Sequence, residues 1–278
     1  MKTLVVPTDF SSVSVNALNY AVDMAQAINA GIVLLHVYNV PVAFTDAPVS
    51  PVTVVSVEEV KRTAEERLEE VKKNLVTVTS GSIQIFSEAR LGDTMDELEQ
   101  LCKSVEPLAV IMGSHGATGL ERMIMGSNTL SAIRHLKCPV IVVPPGTTYH
   151  GIKRIGLACD FENVVHSTPV EYIKNLVREF GAELYVLNVK DKHEKGAVTE
   201  PTKETAYLDA ALEEIRPAYV QLAGENVVET INSFAEKNNL DLVMVIPKKH
   251  QFIDSLFHKS KSRELITHAH IPIVSIHE

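Results

Sequence analysis

The strongest constraint on the fold is that the sequence repeats itself on the scale of a whole domain. An apolar run ending in Asp-Phe opens each half, as LVVPTDF at residues 4–10 and IGLACDF at residues 155–161. Near the end of each half, Cys138-Pro-Val-Ile and Ile271-Pro-Ile-Val stand 133 residues apart. Similarity at a constant offset indicates an internal duplication.

The length of the chain agrees with two copies of one domain. Its 278 residues fit two domains of about 140 residues each. The stretch PPGTT at residues 144–148 has the composition of a linker. We therefore expect domains at residues 1–146 and 152–278, with the second copy shortened mostly in the crossover around residues 190–216.

Apolar runs alternate with amphipathic segments along each copy, which predicts an α/β fold. In the first copy the predicted strands are Thr3–Val6, Ile32–Tyr38, Ile83–Ala89, Leu108–Met112 and Val140–Val143. The predicted helices run from Ser11 or Ser12 to Ile28 with Gly31 as the stop, from Glu58 to Asn74, and from Thr94 to Ser104. This order predicts two tandem doubly wound domains, each a five-stranded, mostly parallel sheet flanked by helices.

Composition excludes several classes of partner. The formal net charge is −9 and aromatic residues make up 5% of the chain, so neither a basic face nor a stacking platform for nucleic acid is expected. No apolar run reaches about 18 residues, so no membrane contact is expected. The three cysteines have no spacing typical of zinc or a redox pair, and buried free thiols in a reducing cytoplasm are expected.

A glycine-rich loop follows the fourth predicted strand and precedes a helix. It contains Gly113, Gly116 and Gly126, and Ser127 follows the last glycine directly. Glycine permits positive φ and close approach of a ligand to the backbone. A helix that begins after Gly126 would direct free N–H groups at the loop, so a phosphate is the expected occupant.

The loop matches neither of the two commonest phosphate-binding fingerprints. It lacks the Gly-Lys-Ser/Thr ending of a P-loop and the Gly-x-Gly-x-x-Gly spacing of dinucleotide-binding folds. Its pattern is G-x2-G-x9-G-S, and PTDFS stands at residues 7–11. In both features the chain resembles a tandem universal stress protein, a member of the adenine-nucleotide-hydrolase-like α/β superfamily.

The resemblance implies an ATP site in the first domain. Asp9, with the backbone of Pro7 and Thr8, would face the adenosine, and Val37 on the second strand would contact the base. The residues implied around the polyphosphate are Gly113, Gly116, Gly126, Ser127, Asn128 and Thr129. Asp9 could instead be a helix cap. His115 and Arg122 also lie in the loop and could contact phosphate or simply be solvated.

The second copy has lost this motif. At the offset of 133, Ile246, Lys249 and Lys259 replace the three glycines, and only Ser260 matches Ser127. A Cβ at each of these positions obstructs the backbone approach of a ligand. We expect a degenerate domain whose main role is to pair with the first, although its lysines could dock another anion.

The resulting hypothesis is an ATP-binding regulatory protein of the universal stress type, with ATP as the ligand and Mg²⁺ as a possible companion. The alternatives are a scaffold protein that binds no nucleotide and a weak ATPase. No catalytic residue is identified, because no nucleophile with its base and no paired carboxylates stand out. No metal site is expected either, since His268 and His270 have no carboxylate or Cys at ligand spacing.

The last strand of each copy is short and apolar. Because an exposed edge strand of this kind pairs readily, we expect an internal pseudo-dimer through Val140–Val143 and Ile273–Ile276. Further homodimerisation is compatible with the sequence.

Overall fold

The computed structural model of the protein describes residues 2–40, 56–114, 125–161, 164–190, 203–247 and 261–277. These ranges contain most of both predicted domains. They leave out His115, Gly116 and Arg122 of the glycine loop and the lysines predicted at its counterpart, Lys248, Lys249 and Lys259.

The first half alternates strands and helices. Its strands are β1 (Thr3–Pro7), β2 (Gly31–Tyr38), β3 (Ile85–Leu91), β4 (Ala109–Gly113) and β5 (Val140–Val143). Its helices are α1 (Ser12–Ile28), α2 (Val57–Val78), α3 (Thr94–Val105) and α4 (Ser127–His135). Strand β3 begins and ends two residues later than predicted, and helix α2 continues four residues further.

The second half repeats this order. Its strands are β6 (Arg154–Ala158), β7 (Glu183–Lys190), β8 (Ala218–Ala223), β9 (Leu242–Val245) and β10 (Ile273–Ser275). Its helices are α5 (Val164–Ser167), α6 (Val170–Phe180), α7 (Lys203–Leu212), α8 (Val227–Asn238) and α9 (Lys261–His268).

The ends of helix α1 show how local chemistry sets the boundaries. Ser11 caps the helix, because its side chain accepts a hydrogen bond from the Ser14 amide. The prediction that Gly31 stops the helix is wrong. Asn29 ends it in the left-handed conformation, with φ of 51°, and its N–H donates to the Ala25 carbonyl.

The described strands form one ten-stranded sheet in the order β3-β2-β1-β4-β5-β10-β9-β6-β7-β8. Each half supplies five neighbouring strands, and within each half the pairing is parallel. The predicted fold class is confirmed, with the addition that the two sheets are continuous.

The two halves join through the strands predicted to pair. Strand β10 lies antiparallel to β5, with Val274 opposite Ile141 and Ser275 opposite Val140. On either side of this contact, β4 pairs in parallel with β5 and β9 pairs in parallel with β10. The seam therefore relates two equivalent strands in the manner of an isologous dimer contact within one chain.

Apolar side chains on both faces of the sheet continue across this seam. On one face, buried Leu4 and Ile141 belong to the same cluster as Ile155 and Val274. On the other, Val140 and Val142 share a cluster with Val243 and Ile273. The halves thus share their cores, and separating them would expose apolar surface on both faces.

The second half departs from the first where α1 has its counterpart. Instead of one helix of 17 residues, it has the four-residue α5 and the 11-residue α6. Thr168 and Pro169 lie between them, and proline both lacks an N–H and clashes with the preceding helical turn. The duplication therefore retains the sheet better than the helix packed on it.

Among the described residues, no helix is both long and apolar enough to cross a membrane.

We predict that Ser275→Ala raises the stability of the protein. The Ser275 side chain lies on β10 at the seam, is fully buried, and has no hydrogen-bond partner among the described residues. Because an unsatisfied buried hydroxyl is costly, its removal is expected to raise the free energy of unfolding by about 1 kcal/mol. Urea denaturation followed by circular dichroism measures the change.

Thr79→Val is the matched control. Thr79 is also buried, but its hydroxyl donates to the Leu75 carbonyl at 2.8 Å. Removing this partnered hydroxyl is expected to lower the stability by about 1 kcal/mol. A loss of stability in Ser275→Ala of the same size as in Thr79→Val would contradict the prediction.

Candidate functional site

Three neighbouring parallel strands, β1, β2 and β4, end at the carboxyl edge of the first half. Val5 of β1 is opposite Val110 of β4, and β4 ends three residues later at Gly113. On the other side, Pro7 is opposite Leu35 of β2, so Asp9 and Val37 each follow this pair by two residues. In doubly wound sheets, ligands bind at this edge.

Hydrogen bonds hold the turn that leaves β1. The Thr8 amide donates to the Leu35 carbonyl at 2.8 Å, and the Thr8 hydroxyl accepts from the Phe10 amide at 3.0 Å. His36 Nδ1 lies 2.8 Å from the Thr8 carbonyl. Because a carbonyl only accepts, Nδ1 carries the proton in this contact, and the backbone just before Asp9 is held from both sides.

Asp9 lies on the exposed side of this turn. Its Oδ1 accepts a hydrogen bond from the Ser11 amide at 2.9 Å. Partial burial raises the pKa of Asp9, but hydrogen bonds from the side chain and backbone of Ser11 and from the Ser14 side chain outweigh it, so the pKa lies below its usual 3.8. The helix cap itself is Ser11, so Asp9 is a turn residue whose charged form is favoured.

Packing against helix α1 explains the glycine at position 113. A Cβ at Gly113 would lie 2.4 Å from Val13 Cγ1 and 2.9 Å from the Val13 carbonyl oxygen. Real Cβ atoms do not approach that closely, so the start of α1 can lie against β4 only when position 113 is glycine. This requirement comes from the protein's own packing.

Helix α4 begins at Ser127, and its N-cap residue, Gly126, offers no side chain to cap it. Its first backbone hydrogen bond runs from the Leu130 amide to the Gly126 carbonyl, so the amides of residues 127–129 precede the helical ladder. Ser127 and Asn128 are exposed. The positive end of the helix dipole therefore faces outward beside two hydrogen-bonding side chains.

Two internal hydrogen bonds attach this helix start to β4. The buried Thr129 hydroxyl donates to the Gly113 carbonyl at 2.9 Å, and the Gly126 amide donates to the Ser114 carbonyl at 3.0 Å. Thr129 was predicted among the polyphosphate residues. Its hydroxyl proton is instead used within the protein, where it fixes the helix start relative to the strand ends.

The structure brings most of the predicted site residues to one edge of the sheet. The described members of this group are Pro7, Thr8, Asp9, Val37, Gly113, Gly126, Ser127, Asn128 and Thr129. His115, Gly116 and Arg122 lie outside the described residues.

A ring cluster beside Asp9 was missed from the sequence. Phe10 has a positive φ of 61°, and its ring lies 4.4 Å from the His36 ring, centroid to centroid. The Arg67 guanidinium of α2 lies 4.3 Å from the centre of the Phe10 ring. The sequence did contain a signal for this cluster, because a Phe follows the Asp in both copies. In the structure, Phe161 has a positive φ as Phe10 does.

The turn after β6 in the second half has the same backbone connections with different side chains. The Cys159 amide donates to the Leu187 carbonyl at 2.9 Å, as Thr8 does to Leu35. Asn188 Nδ2 donates to the Cys159 carbonyl at 2.9 Å. This contact is the counterpart of the one between His36 and the Thr8 carbonyl in the first half. The turn that carries Asp160 is therefore maintained.

The counterpart of the glycine loop differs already at its first position. Ile246, in the place of Gly113, carries a full side chain at the end of β9. The helix that would pack there ends at Ser167, before Pro169. The glycine-dependent packing at Gly113 is therefore not repeated at this position.

Comparison with known proteins agrees with the doubly wound, duplicated architecture. The model of the universal stress protein family matches residues 1–144 and again residues 151–277. The chain therefore belongs to the universal stress protein family, as a tandem of two such units.

A universal stress protein of Methanocaldococcus jannaschii is 30% identical over 142 residues, which cover 51% of this chain and 81% of that protein. The crystal structure of a universal stress protein from Archaeoglobus fulgidus DSM 4304 is 20% identical, covers 99% of this chain and 96% of its own, and has a TM-score of 0.69. A functionally unknown protein from Pseudomonas aeruginosa PAO1 is 10% identical, with 99% and 92% covered and a TM-score of 0.61. The two structures share the fold of the whole chain.

We predict that Gly113→Ala destabilises the protein and that part of the cost depends on Val13. Overpacking of this kind costs about 1–3 kcal/mol. In a Val13→Ala background the contact with Cγ1 is gone, whereas the contact with the Val13 carbonyl remains. The cost of Gly113→Ala is therefore expected to be smaller there without disappearing. A double-mutant cycle measured by urea denaturation would contradict this if the cost were equal in both backgrounds.

We also predict that Asp9 contributes to stability above its unfolded-state pKa. Because the folded-state pKa is lowered, this contribution is present above 3.8 and is lost as the pH falls through the folded-state value. The stability difference between the wild-type protein and Asp9→Asn should therefore be larger at about pH 6 than at about pH 3. A carboxyl titration by NMR that gives Asp9 a pKa above 3.8 would contradict the prediction.

Proposed function

We propose that the first domain binds ATP and that the bound nucleotide regulates the contacts of the protein with its partners. The observation that carries the proposal is the start of helix α4. Its first-turn amides lie beside the exposed Ser127 and Asn128, at the edge of the sheet where Asp9 also lies. A helix start of this kind suits an anionic ligand.

The phosphates would bind at α4. Amide donors at residues 127–129, the Ser127 hydroxyl and the Asn128 side chain would surround phosphate oxygens, and the helix dipole would favour their charge. Thr129 would act indirectly, because its hydrogen bond to Gly113 positions the helix start. Gly113 would likewise contribute by allowing α1 to pack close to β4.

The adenosine would lie over the ends of β1 and β2. Asp9 provides an ionised carboxylate that can accept hydrogen bonds from hydroxyl groups. Val37, at the same level on β2, is partly exposed and offers an apolar contact for a base. The resemblance to universal stress proteins supports this orientation, with the adenosine at the β1 end and the phosphates at the glycine loop.

Mg²⁺ would reach this site together with the nucleotide. Among the described residues, no group of three or more His, Cys, Asp or Glu side chains could hold a metal. Mg²⁺ commonly binds through substrate phosphates and retained waters, with few protein ligands. The phosphates would therefore supply most of the protein-independent ligands of the ion.

The second domain would serve mainly as the pairing partner of the first. Ile246 replaces Gly113, and strand β10 supplies the contact with β5. Nucleotide bound to one domain could then change how the pair contacts other molecules, including a second copy of the chain. A cytoplasmic location is part of this proposal.

Ser127→Asp and Ser127→Asn test the phosphate site with two side chains that differ in charge alone. Ser127 is exposed in the first turn of α4, where a carboxylate favours the helix and should preserve the fold. Repulsion of the phosphates is expected to weaken ATP binding by Ser127→Asp about tenfold or more relative to Ser127→Asn, a difference of about 1.4 kcal/mol. Isothermal titration calorimetry with Mg-ATP measures both affinities.

Equal affinities of the two variants would refute the phosphate site at α4. If the wild-type protein binds no adenine nucleotide and none copurifies with it by mass spectrometry, the scaffold hypothesis replaces the ATP hypothesis. Phosphate release from ATP above the buffer background would instead support weak hydrolysis.

A further inference from the structure

A cavity of about 410 Å³ lies at the opposite edge of the sheet from the candidate ATP site. It lies before the amino ends of β4 and β5, where Leu108 and Pro139 line it. Helix α3 contributes Cys102, the turn before β5 contributes Cys138, and α6 of the second half contributes Tyr172. Both halves of the chain therefore enclose this space.

Two of the three cysteines meet in this cavity. Cys102 and Cys138 are both free thiols that line the same cavity, and each shifts the pKa of the other. Cys102 is buried, whereas Cys138 is partly exposed. Both residues line the cavity, and Cys138 is the more exposed of the two. They are 36 residues apart in the sequence, which is why their spacing indicated no pair.

The two thiols are unequal. Cys138 is the more exposed residue of the pair, whereas Cys102 is buried. The neighbouring Cys102 thiol lowers the pKa of Cys138 although burial raises it, and the Cys138 thiol together with burial raises the pKa of Cys102. Exposure and protonation both make Cys138 the better nucleophile, because the thiolate is the reactive form.

The cavity that holds the pair is lined by charges of both signs. Glu99, Lys103, Glu106 and Lys137 also line the cavity. Lys103 forms an ion pair with Glu99 at 2.7 Å, whereas Lys137 immediately precedes Cys138. The Tyr172 hydroxyl donates to the Leu108 carbonyl at 3.3 Å.

We propose that Cys138 and Cys102 form a redox site that reacts with a hydroperoxide and closes into a reversible disulfide. An accessible thiol beside a buried second thiol is the arrangement of redox-sensing cysteines, in which the second thiol resolves the oxidised first. The cavity gives a small hydroperoxide access to Cys138. This site is independent of the ATP proposal, since it shares no residue with the glycine loop.

The reaction balances with the hydroperoxide as the only oxidant. The Cys138 thiolate attacks one peroxide oxygen, the O–O bond breaks, and the leaving alkoxide or hydroxide takes up a proton. Cys138 is then a sulfenic acid. The Cys102 sulfur attacks the Cys138 sulfur, the S–S bond forms, and hydroxide leaves and combines with the Cys102 proton as water. The two sulfurs together lose two electrons, which reduce the hydroperoxide to an alcohol or water.

The disulfide would connect α3 to the turn before β5. A disulfide requires an S–S distance of about 2.05 Å, which is shorter than any S–H···S contact, so its two segments must move together. That movement takes place against Tyr172 and Leu108, where the two halves touch. Oxidation is therefore expected to change the surroundings of Tyr172.

The test treats the folded wild-type protein with hydrogen peroxide and follows it by intact mass spectrometry and peptide mapping. The expected product has lost two hydrogen atoms, links the peptides that contain Cys102 and Cys138, and returns to the starting mass with dithiothreitol. Cys102→Ser should instead accumulate Cys138 sulfenic acid, which dimedone traps. Cys138→Ser should form neither product at this site.

Cys159→Ser is the matched control, because Cys159 is a partly exposed cysteine outside any disulfide, directly after β6 and not in the lining of the cavity. It should form the linkage at the wild-type rate. Linkages that mainly involve Cys159, formation of the Cys102–Cys138 link only after unfolding in urea, or over-oxidation of Cys138 without a link would each overturn the proposal.

Discussion

The antiparallel contact between β5 and β10 is the interaction on which the architecture of the whole chain depends. Each half ends in a strand whose outer edge would otherwise expose unpaired N–H and C=O groups. Pairing the two strands satisfies both edges at once and continues the buried clusters on both faces of the sheet. The outermost strands, β3 and β8, are the more exposed ones, as shown by Phe86 and Tyr219. The chain therefore places its most buried strands at its centre and its most exposed strands at its ends.

Close packing at Gly113 links this architecture to the candidate site. The start of α1 lies against Gly113 at the end of β4. The Thr129 hydroxyl of α4 donates a hydrogen bond to the carbonyl of the same glycine. Strand end, helix start and the turn at Asp9 are thereby held as one unit. In the second half, Ile246 stands in the place of Gly113 and Pro169 separates two shorter helices, so the strand end and the helix packed on it have both diverged.

The sequence predicted the features that follow from periodicity and repetition. The alternation of strands and helices, and the pairing of the last strands, depend on hydrophobic patterns that are local or repeated, and the structure agrees with them. Reasoning from the sequence was weaker wherever a residue acts through a distant neighbour. From the sequence, Gly113 was explained by the approach of a ligand. The sequence alone could not show that Val13, 100 residues away, fills the space that a side chain at position 113 would need. Cys102 and Cys138 appeared unrelated for the same reason, since only the fold brings α3 to the turn before β5.

The covalent connection between the halves has a consequence for how the protein behaves on dilution. Two separate subunits that pair through their last strands dissociate as their concentration falls, and their melting temperature falls with it. Here the partner is tethered, so its effective concentration is set by the chain and does not change with the amount of protein. The paired state should persist at any cellular abundance. Either half can also diverge by mutation without losing this contact, because β5 meets β10 of its own chain and need not match a copy of itself.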